Sequence, residues 1–270
     1  MIDNKPKVSV IMGVYKINDE NILRKSIDSI LNQTFSDFEF IICDDGSDDN
    51  TFELVKKICK EDSRVILIKN DKNKGLANVL NRCYKMANGE YIARMDADDE
   101  SDLKRFERQV DFLDTHYEVD LIACDCNVFD NNGIYSEKCF NEIIDKEDFL
   151  FNSPIVHPTI MVRKKSLEKV GGYRDIKKTY RVEDYDLFMR MYIDGQKMCT
   201  LKEKLFNYRE DINTYSRRKY KYRINEFLIR LEHFYKMGLL PKYFIYVIKP
   251  LIVGIIPKRT LEKIKRNKRG

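Results

Sequence analysis

The chain has 270 residues, of which 43% are hydrophobic and 34% are charged, as expected for one globular domain with or without an appendage. Residues 211–270 carry 16 Lys and Arg against 4 Asp and Glu, whereas residues 1–210 carry 33 against 40. An acidic body with a basic C-terminal segment indicates that this segment meets an anionic partner. Because no nucleic-acid recognition motif accompanies it, sequence-specific nucleic-acid binding is not expected.

The cysteines and the N-terminus bear on the compartment. The chain has an odd number of cysteines, seven, and none of them forms a Cys-x-x-Cys pair, which favours a reducing environment. Cys124 and Cys126 alternate on a predicted strand, so both thiols are expected on one packed face rather than at a metal. The N-terminus leads into a strand with no secretory signal, and we therefore expect a cytoplasmic protein.

The first hundred residues alternate between strands and helices. Apolar, β-branched runs predict four strands, at residues 8–12, 38–43, 65–68 and 91–95. Helices are predicted between them, the first capped by Asn18 or Asp19, the second over residues 51–60 and the third opened by Gly75. This order predicts an α/β fold, with a mostly parallel, Rossmann-like central sheet flanked by helices.

Three polar loops, at residues 13–18, 44–50 and 96–99, follow predicted strands. Ligands of such sheets bind beyond the carboxyl ends of the strands, so these loops are expected to converge. Asp96 and Asp98 are two residues apart at a strand end and point to one face. Carboxylates so crowded repel one another unless a cation lies among them, and a divalent metal holding diphosphate oxygens is one solution. A solvated acidic turn is the alternative, which convergence of the loops disfavours.

The second half is predicted to contain a helix at 103–116, a strand at 121–128 and a hairpin turn at Asn132-Gly133. A short helix at 145–151 and a strand led by His157 follow. The loop at Gly171-Gly172 precedes Glu183-Asp184 and an apolar helical stripe. The two acids either favour the helix N-terminus or serve catalysis.

Four motifs in order resemble family 2 nucleotide-sugar glycosyltransferases, which have the GT-A fold. They are Val8-Ser-Val-Ile-Met-Gly-Val-Tyr, Cys43-Asp-Asp-Gly-Ser, Asn73-Lys-Gly-Leu-Ala-Asn and Met95-Asp-Ala-Asp-Asp. The resemblance covers about residues 7–206. It implies a uridine-diphosphate (UDP) sugar donor, a divalent Mn²⁺ or Mg²⁺ and inversion at the anomeric carbon. Residues 1–210 would form the transferase domain, with a nucleotide-binding half at 1–100 and an acceptor-binding half at 101–210.

Matching the motifs position by position implies a set of donor-binding residues. Asp44 would accept the uracil N–H, and Asp45 would either lie beside it or serve the loop. Asp96 would face the ribose or a metal-bound water. The loop bordering the base and the segment along the nucleoside would supply Val14, Tyr15, Asn73, Gly75 and Asn78.

The resemblance also implies metal and catalytic roles. Asp98 is the expected metal ligand, while Asp99 is expected to cap the following helix. His157 is either structural or borders the metal or the acceptor. Asp184 is the expected general base, which removes the acceptor proton, and Glu183 would orient the loop or hold the acceptor.

Beyond residue 208 the resemblance fades. Arg217-Arg218-Lys219-Tyr220 stands where some members carry Gln-x-x-Arg-Trp, and the chain contains no Trp, which argues against a processive synthase. Residues 211–270 are predicted to be a helical extension. An apolar run at 243–257 precedes seven Lys and Arg in residues 258–270. This arrangement indicates either an interfacial anchor on an anionic membrane or a packed terminal helix.

Together with the basic C-terminal segment, the resemblance implies an inverting hexosyltransferase of bacterial capsule, O-antigen or exopolysaccharide synthesis, peripheral at the inner face of the cell membrane. Its acceptor would be a glycan or an undecaprenyl-diphosphate-linked saccharide. A nucleotidyltransferase that makes nucleotide sugars is one alternative, disfavoured because the loop after the first strand has a single glycine. A non-catalytic nucleotide- or membrane-binding protein is the other, and it would need neither Asp98 nor Asp184.

Overall fold

The fold is built on one sheet of nine strands, seen in a computed structural model that describes residues 5–60, 62–210 and 219–256. The strand order is β3-β2-β1-β4-β8-β6-β9-β5, and β7 pairs with β6. The strands are β1 (Val8–Val14), β2 (Phe38–Asp44), β3 (Val65–Lys69), β4 (Tyr91–Met95), β5 (Glu100–Ser101), β6 (Leu121–Asp130), β7 (Gly133–Lys138), β8 (Met161–Arg163) and β9 (Met198–Arg209).

Helices cover the sheet. They are α1 (Glu20–Leu31), α2 (Thr51–Cys59), α3 (Leu76–Met86), α4 (Arg105–Thr115), α5 (Lys164–Lys169), α6 (Glu183–Ile193), α7 (Tyr220–Lys236) and α8 (Phe244–Ile255). Asp19 caps α1, because its carboxylate accepts the backbone N–H groups of Asn21 and Ile22. Gly75, with a φ of +92°, immediately precedes α3, as the sequence predicted.

The N-terminal half confirms the predicted parallel sheet. Strands β3, β2, β1 and β4 are neighbours and run parallel. Two apolar clusters lie on the two faces of these strands: Ile11 and Ile41 belong to one, and Val10 and Phe40 to the other. Burial on both faces explains why these strands read as continuous apolar runs.

The C-terminal half mixes strand directions. β8 runs antiparallel to β4 and β6, whereas β9 runs parallel to β6. The prediction of a strand that starts at His157 was wrong about where the strand begins. Residues His157–Thr159 form a 3₁₀ turn, and β8 starts only at Met161. Pro158 lacks the N–H that a strand ladder needs, and the Thr159 hydroxyl donates back to the carbonyl of Val156.

Helix α7 packs against the body through buried polar contacts. Arg230 of α7 is fully buried and donates to the carbonyls of Leu150 and Phe151 at 2.7 and 3.0 Å. None of the helices in the described ranges is both long and apolar enough to cross a bilayer. Arg217, Arg218 and the basic stretch 258–270 lie outside the described residues.

All seven cysteines are free thiols. Cys124 and Cys126 are fully buried in the same apolar cluster, as expected for side chains that alternate along β6. Burial raises the pKa of each to about 12, which keeps both thiols protonated. The packing interpretation of this pair is therefore confirmed.

Candidate active site

Two adjoining cavities open at the sheet edge where β1, β2 and β4 end. The larger has a volume of about 850 Å³ and the smaller about 510 Å³. Leu76, Arg181, Glu183 and Tyr222 line both of them. The cavities are therefore neighbours at the carboxyl ends of the parallel strands, where α/β sheets bind ligands.

The smaller cavity contains most of the residues expected around the nucleoside. Val14, Tyr15, Asp45, Asn73 and Gly75 all line it. These residues come from three loops far apart in the chain. The cavity is therefore the place where the predicted loops meet.

Two predicted nucleoside residues are placed differently. Asn78 lies on the exposed side of α3, where its amide donates to Asp175 at 3.0 Å. Asp44 is 1% exposed, and its Oδ1 accepts from the backbone N–H and hydroxyl of Ser47 at 3.0 and 2.6 Å. The ammonium of Lys69 lies 3.5 Å from the other oxygen of Asp44. Asp44 is therefore buried and, unlike Asp45, is not one of the residues that line the smaller cavity.

Asp45 holds the loop that shapes this cavity. Its Oδ1 accepts from the Asn70 amide at 2.8 Å and from the Lys74 N–H at 2.9 Å. Its Oδ2 accepts from the Gly75 N–H at 2.8 Å. The buried carboxylate thereby ties the end of β2 to the start of α3. Of the two roles predicted for Asp45, this geometry matches the one in which its carboxylate holds the loop in place.

Three carboxylates meet after β4. One oxygen from each of Asp96, Asp98 and Asp99 lies within 4.8 Å of the other two. Arg94, which is buried, forms an ion pair with Asp96. Asp98 is exposed, but desolvation of its carboxylate by the surrounding protein, together with the nearby Asp96, raises its pKa to about 6. Arg94 and Arg209 both lower the pKa of Asp98, and the raised value means that they do not fully offset the desolvation and the repulsion by Asp96.

The structure corrects the role expected for Asp99. This residue is 1% exposed and does not cap α4, which begins six residues later at Arg105. Instead, its Oδ1 accepts the backbone N–H of Arg209 at 2.7 Å. Its Oδ2 is buried without a hydrogen-bond partner. The capping prediction was wrong because the nearest donor comes from β9, 110 positions along the chain.

The carboxylate cluster fits a hard divalent cation. It offers carboxylate oxygens, including the unpartnered Oδ2 of Asp99, and these are the ligands that Mg²⁺ and Mn²⁺ prefer. Burial and mutual repulsion raise the pKa of Asp99 well above its usual value, as expected where a cation would relieve the repulsion. Among the residues that the structure describes, His157 does not belong to the group of close potential metal ligands, which consists of Asp96, Asp98 and Asp99.

The larger cavity brings Asp96 together with Asp184, Glu183 and His157. Asp184 and Glu183 form the first turn of α6. Desolvation raises the pKa of both acids, and Asp96 raises that of Asp184 further. His157 Nε2 lies 2.7 Å from the Tyr173 hydroxyl, and burial beside Arg94 lowers its pKa well below the usual value, so the ring is neutral.

Several lining residues were not expected from the sequence. Arg94 is a charged residue in a strand that is otherwise apolar, a signal that the sequence did contain. Arg181, with a φ of +68°, lines both cavities. Tyr222, Arg223 and Arg230 form part of the wall from α7. Only packing shows that this helix reaches the cavity.

The loop before Asp184 is fixed by a buried charge network. Asp186, fully buried in α6, accepts from Arg174 and Arg190 at 2.9 Å each, and His233 Nε2 lies 2.9 Å away. Although burial alone would raise the pKa of Asp186, these partners hold it well below the usual value. Arg174 also donates to Glu232 of α7 at 3.1 Å. Helix α7 and the loop are therefore coupled through ion pairs.

Comparisons with known proteins agree on one family. Residues 9–171 match the model of glycosyl transferase family 2. The chain is 35% identical over 268 residues to the putative glycosyltransferase EpsE of Bacillus subtilis, covering 99% of this chain and 96% of EpsE. It is 28% identical over 267 residues to an Escherichia coli UDP-Gal:alpha-D-GlcNAc-diphosphoundecaprenol beta-1,3-galactosyltransferase, covering 95% and 94% of the two chains.

A solved structure agrees on the fold. Staphylococcus aureus TarS 1–349, in complex with UDP-GlcNAc, superposes with a TM-score of 0.71 at 20% sequence identity. The alignment covers 90% of this chain and 73% of that one. The mixed sheet, with its parallel half flanked by helices, is therefore the GT-A fold.

Proposed function

This chain belongs to glycosyl transferase family 2, and on that premise we propose that it transfers a hexose or N-acetylhexosamine from a UDP-sugar, with inversion, to a hydroxyl of a glycan or lipid-linked acceptor. The observation that carries the proposal is the pair of adjoining cavities. The carboxylate Asp96 and the candidate base Asp184 line one, and the nucleoside residues line the other.

The donor would bind across both cavities. Val14, Tyr15 and Asn73 would border the nucleoside, while Asp45 and Gly75 keep the loop in place. Asp44 would accept the uracil N–H on its Oδ2, which has no hydrogen-bond partner among the residues that the structure describes. The galactosyltransferase relative uses UDP-Gal, and the TarS structure contains UDP-GlcNAc, which supports a UDP-sugar here. Residues 1–100 would thus hold the donor, and residues 101–210 the acceptor.

Asp98, with Asp96 and Asp99 beside it, would hold a Mn²⁺ or Mg²⁺ ion. Such an ion, when bound, supplies positive charge where the leaving nucleoside diphosphate becomes more negative. His157, neutral and hydrogen-bonded to Tyr173, would border the acceptor. Its role as a metal ligand stays a prediction.

The proposed transfer is a single displacement. The acceptor oxygen forms a bond to the anomeric carbon as its proton passes to an oxygen of Asp184. The bond from that carbon to the diphosphate oxygen breaks, and its electron pair leaves on UDP. Glu183 would hold the acceptor or the loop, since it lines both cavities. Desolvation raises the pKa of Asp184, which makes its carboxylate a stronger base.

The acceptor is proposed to be a lipid-linked saccharide of bacterial polysaccharide synthesis. The E. coli relative is named for an acceptor of the GlcNAc-diphosphoundecaprenol type. Residues 258–270, with seven Lys and Arg and one Glu, would attach the protein to the anionic inner face of the membrane, where such an acceptor lies. Attachment there would place the enzyme at the cytoplasmic side.

A titration with UDP tests the donor and metal sites together. We expect Mn²⁺ to strengthen UDP binding relative to EDTA in the parent protein, and Asp98→Asn to abolish that gain. Asp102→Asn is the control, because it removes one exposed carboxylate from the same segment. Isothermal titration calorimetry measures both, and a gain from Mn²⁺ that survives Asp98→Asn would remove the site.

A donor screen then tests the reaction. The parent protein with Mn²⁺ is expected to hydrolyse one UDP-sugar faster than the others in a panel, because water can replace the acceptor. Chromatography of released UDP measures the rates. Failure of every UDP-sugar to react or to bind would contradict the proposed function.

A further inference from the structure

The surface formed by helices α7 and α8 is unusually apolar for an exposed surface. Nine of the nineteen exposed large hydrophobic side chains in the described residues lie between 219 and 256, a small fraction of the chain. Exposed apolar patches of this kind mark interaction sites. The nine, here called the α7–α8 face, are Tyr220, Ile224, Leu228, Leu231, Tyr235, Phe244, Ile245, Ile252 and Ile255.

The α7 members form one stripe. Ile224, Leu228, Leu231 and Tyr235 follow one another at spacings of four and three residues, which places them on one side of a helix. The buried residues of α7 are different ones, namely Ile229, Arg230, His233 and Phe234. The stripe is therefore additional to the surface that α7 uses to pack against the body.

Helix α8 is apolar nearly all round. Its sequence, Phe-Ile-Tyr-Val-Ile-Lys-Pro-Leu-Ile-Val-Gly-Ile, has one charged residue, yet within it only Val247 and Pro250 are buried. A helix with this composition is normally enclosed by protein or lipid. Its face adjoins that of α7, because Gly254 packs so closely on Tyr220 and Arg223 that a Cβ there would lie 2.8 Å from the Tyr220 ring.

The charges around the α7–α8 face select the occupant. Lys236 and Lys242 are exposed, Lys236 with its ammonium 3.3 Å from Glu232, and the sequence has no Asp or Glu between Glu232 and Glu262. A second copy of the chain, joined by two-fold symmetry, would oppose these lysines to one another. An anionic lipid surface would attract them instead, while the apolar side chains enter the headgroup boundary.

We propose that the α7–α8 face lies in the interface of an anionic lipid bilayer, as a docking surface distinct from the basic segment 258–270. The inference deepens the proposed function and rests on it, because a lipid-linked acceptor requires the cavity to be held at a membrane. Tyr222, Arg223, Glu226 and Arg230, on another side of α7, line the larger cavity. One helix therefore joins the lipid surface to the acceptor site.

The test is flotation of the full chain with vesicles of phosphatidylglycerol and phosphatidylcholine. Combining Ile245→Ser, Ile252→Ser and Ile255→Ser is expected to weaken partitioning about tenfold or more, because each side chain loses apolar contact with lipid. The matched control combines Leu103→Ser, Ile134→Ser and Ile143→Ser, which are similarly exposed but lie elsewhere, and should bind like the parent.

Three outcomes would overturn the proposal. The first is parental vesicle binding by the α8 variant. The second is loss of a dimer in that variant, by analytical ultracentrifugation, with vesicle binding unchanged, which would make a second copy the occupant. The third is stronger vesicle binding after deletion of residues 258–270, which would mean that this segment covers the face.

UDP-sugar hydrolysis without vesicles separates this inference from the proposed function. The α8 variant should hydrolyse the donor at the parental rate, since its substitutions lie outside both cavities. A parent protein that binds vesicles but hydrolyses no donor would sink the proposed function alone. A parent that hydrolyses donor yet ignores the vesicles would sink the docking surface alone.

Discussion

Two acidic clusters in this molecule differ in how their charge is compensated. Asp186 is surrounded by Arg174, Arg190 and His233, and its pKa is depressed. The cluster after β4 has three carboxylates beside the guanidinium groups of Arg94 and Arg209, and the pKa of Asp98 is still raised to about 6. The first cluster is compensated by groups of the protein itself, whereas the second has the ligands to accept a further cation.

The difference is the one expected between a structural site and a ligand-binding site. A compensated buried carboxylate contributes stability because its partners satisfy it, and removing it leaves those partners unpaired. An undercompensated cluster costs stability and is retained where a ligand relieves the cost. Asp184 belongs with the second kind, since its pKa is raised as well and it lines the larger cavity with Asp96.

The largest expected effect is on turnover. Asp184→Asn should lower the rate of sugar transfer by roughly 10²–10⁴-fold, because the acceptor oxygen loses its general base. Affinity for UDP with Mn²⁺ should stay near that of the parent. Initial rates and calorimetry measure the two effects. Asp194→Asn, at the other end of α6, is the control, and turnover retained by Asp184→Asn would place the base elsewhere.

The next effect is on folding. Asp186→Asn should lower the free energy of unfolding by about 3–5 kcal/mol, because Arg174 and Arg190 would keep their charges without a carboxylate. Chemical denaturation in EDTA measures this change. Glu203→Gln, which breaks an exposed pair with Arg108, should cost no more than about 1 kcal/mol. Equal losses in the two variants would erase the contrast between a buried network and a surface pair.

The smallest expected effect is on the stability of Asp98→Asn relative to the parent, and its sign depends on whether Mn²⁺ is present. The pKa of Asp98 is raised from 3.8 to about 6, so between these two pH values the folded state keeps a proton on this carboxyl group that the unfolded state has released. Its charge thus costs stability above pH 6, and the cost fades as the pH falls toward 3.8. In EDTA, Asp98→Asn should be more stable than the parent above pH 6, and this advantage should shrink at lower pH.

Adding Mn²⁺ should reverse that advantage, since the ion stabilises the parent and not the variant. Thermal melts at several pH values, with and without the ion, provide the measurement, and Asp102→Asn again serves as the control. If Asp98→Asn is less stable than the parent in EDTA above pH 6, the second cluster is compensated like the first.

The alternation of strands and helices and the positions of the polar loops at the strand ends were determined by the sequence alone. These features follow from local periodicity: a run such as Val8–Val14 predicts burial on both faces, and parallel strands end at a common edge. The individual residues Val14, Tyr15, Asp45, Asn73 and Gly75 came instead from the resemblance of the motifs to family 2, and all five line the smaller cavity.

What only the tertiary structure decided is the choice of partners over long separations. Asp99 reads as a helix cap yet accepts from Arg209, and α7 reads as part of an appendage yet forms a cavity wall. The network around Asp186 joins α6 to His233, 47 positions away. A carboxylate binds whichever donor packing brings nearest, and local periodicity carries no information about a donor that arrives from another part of the chain.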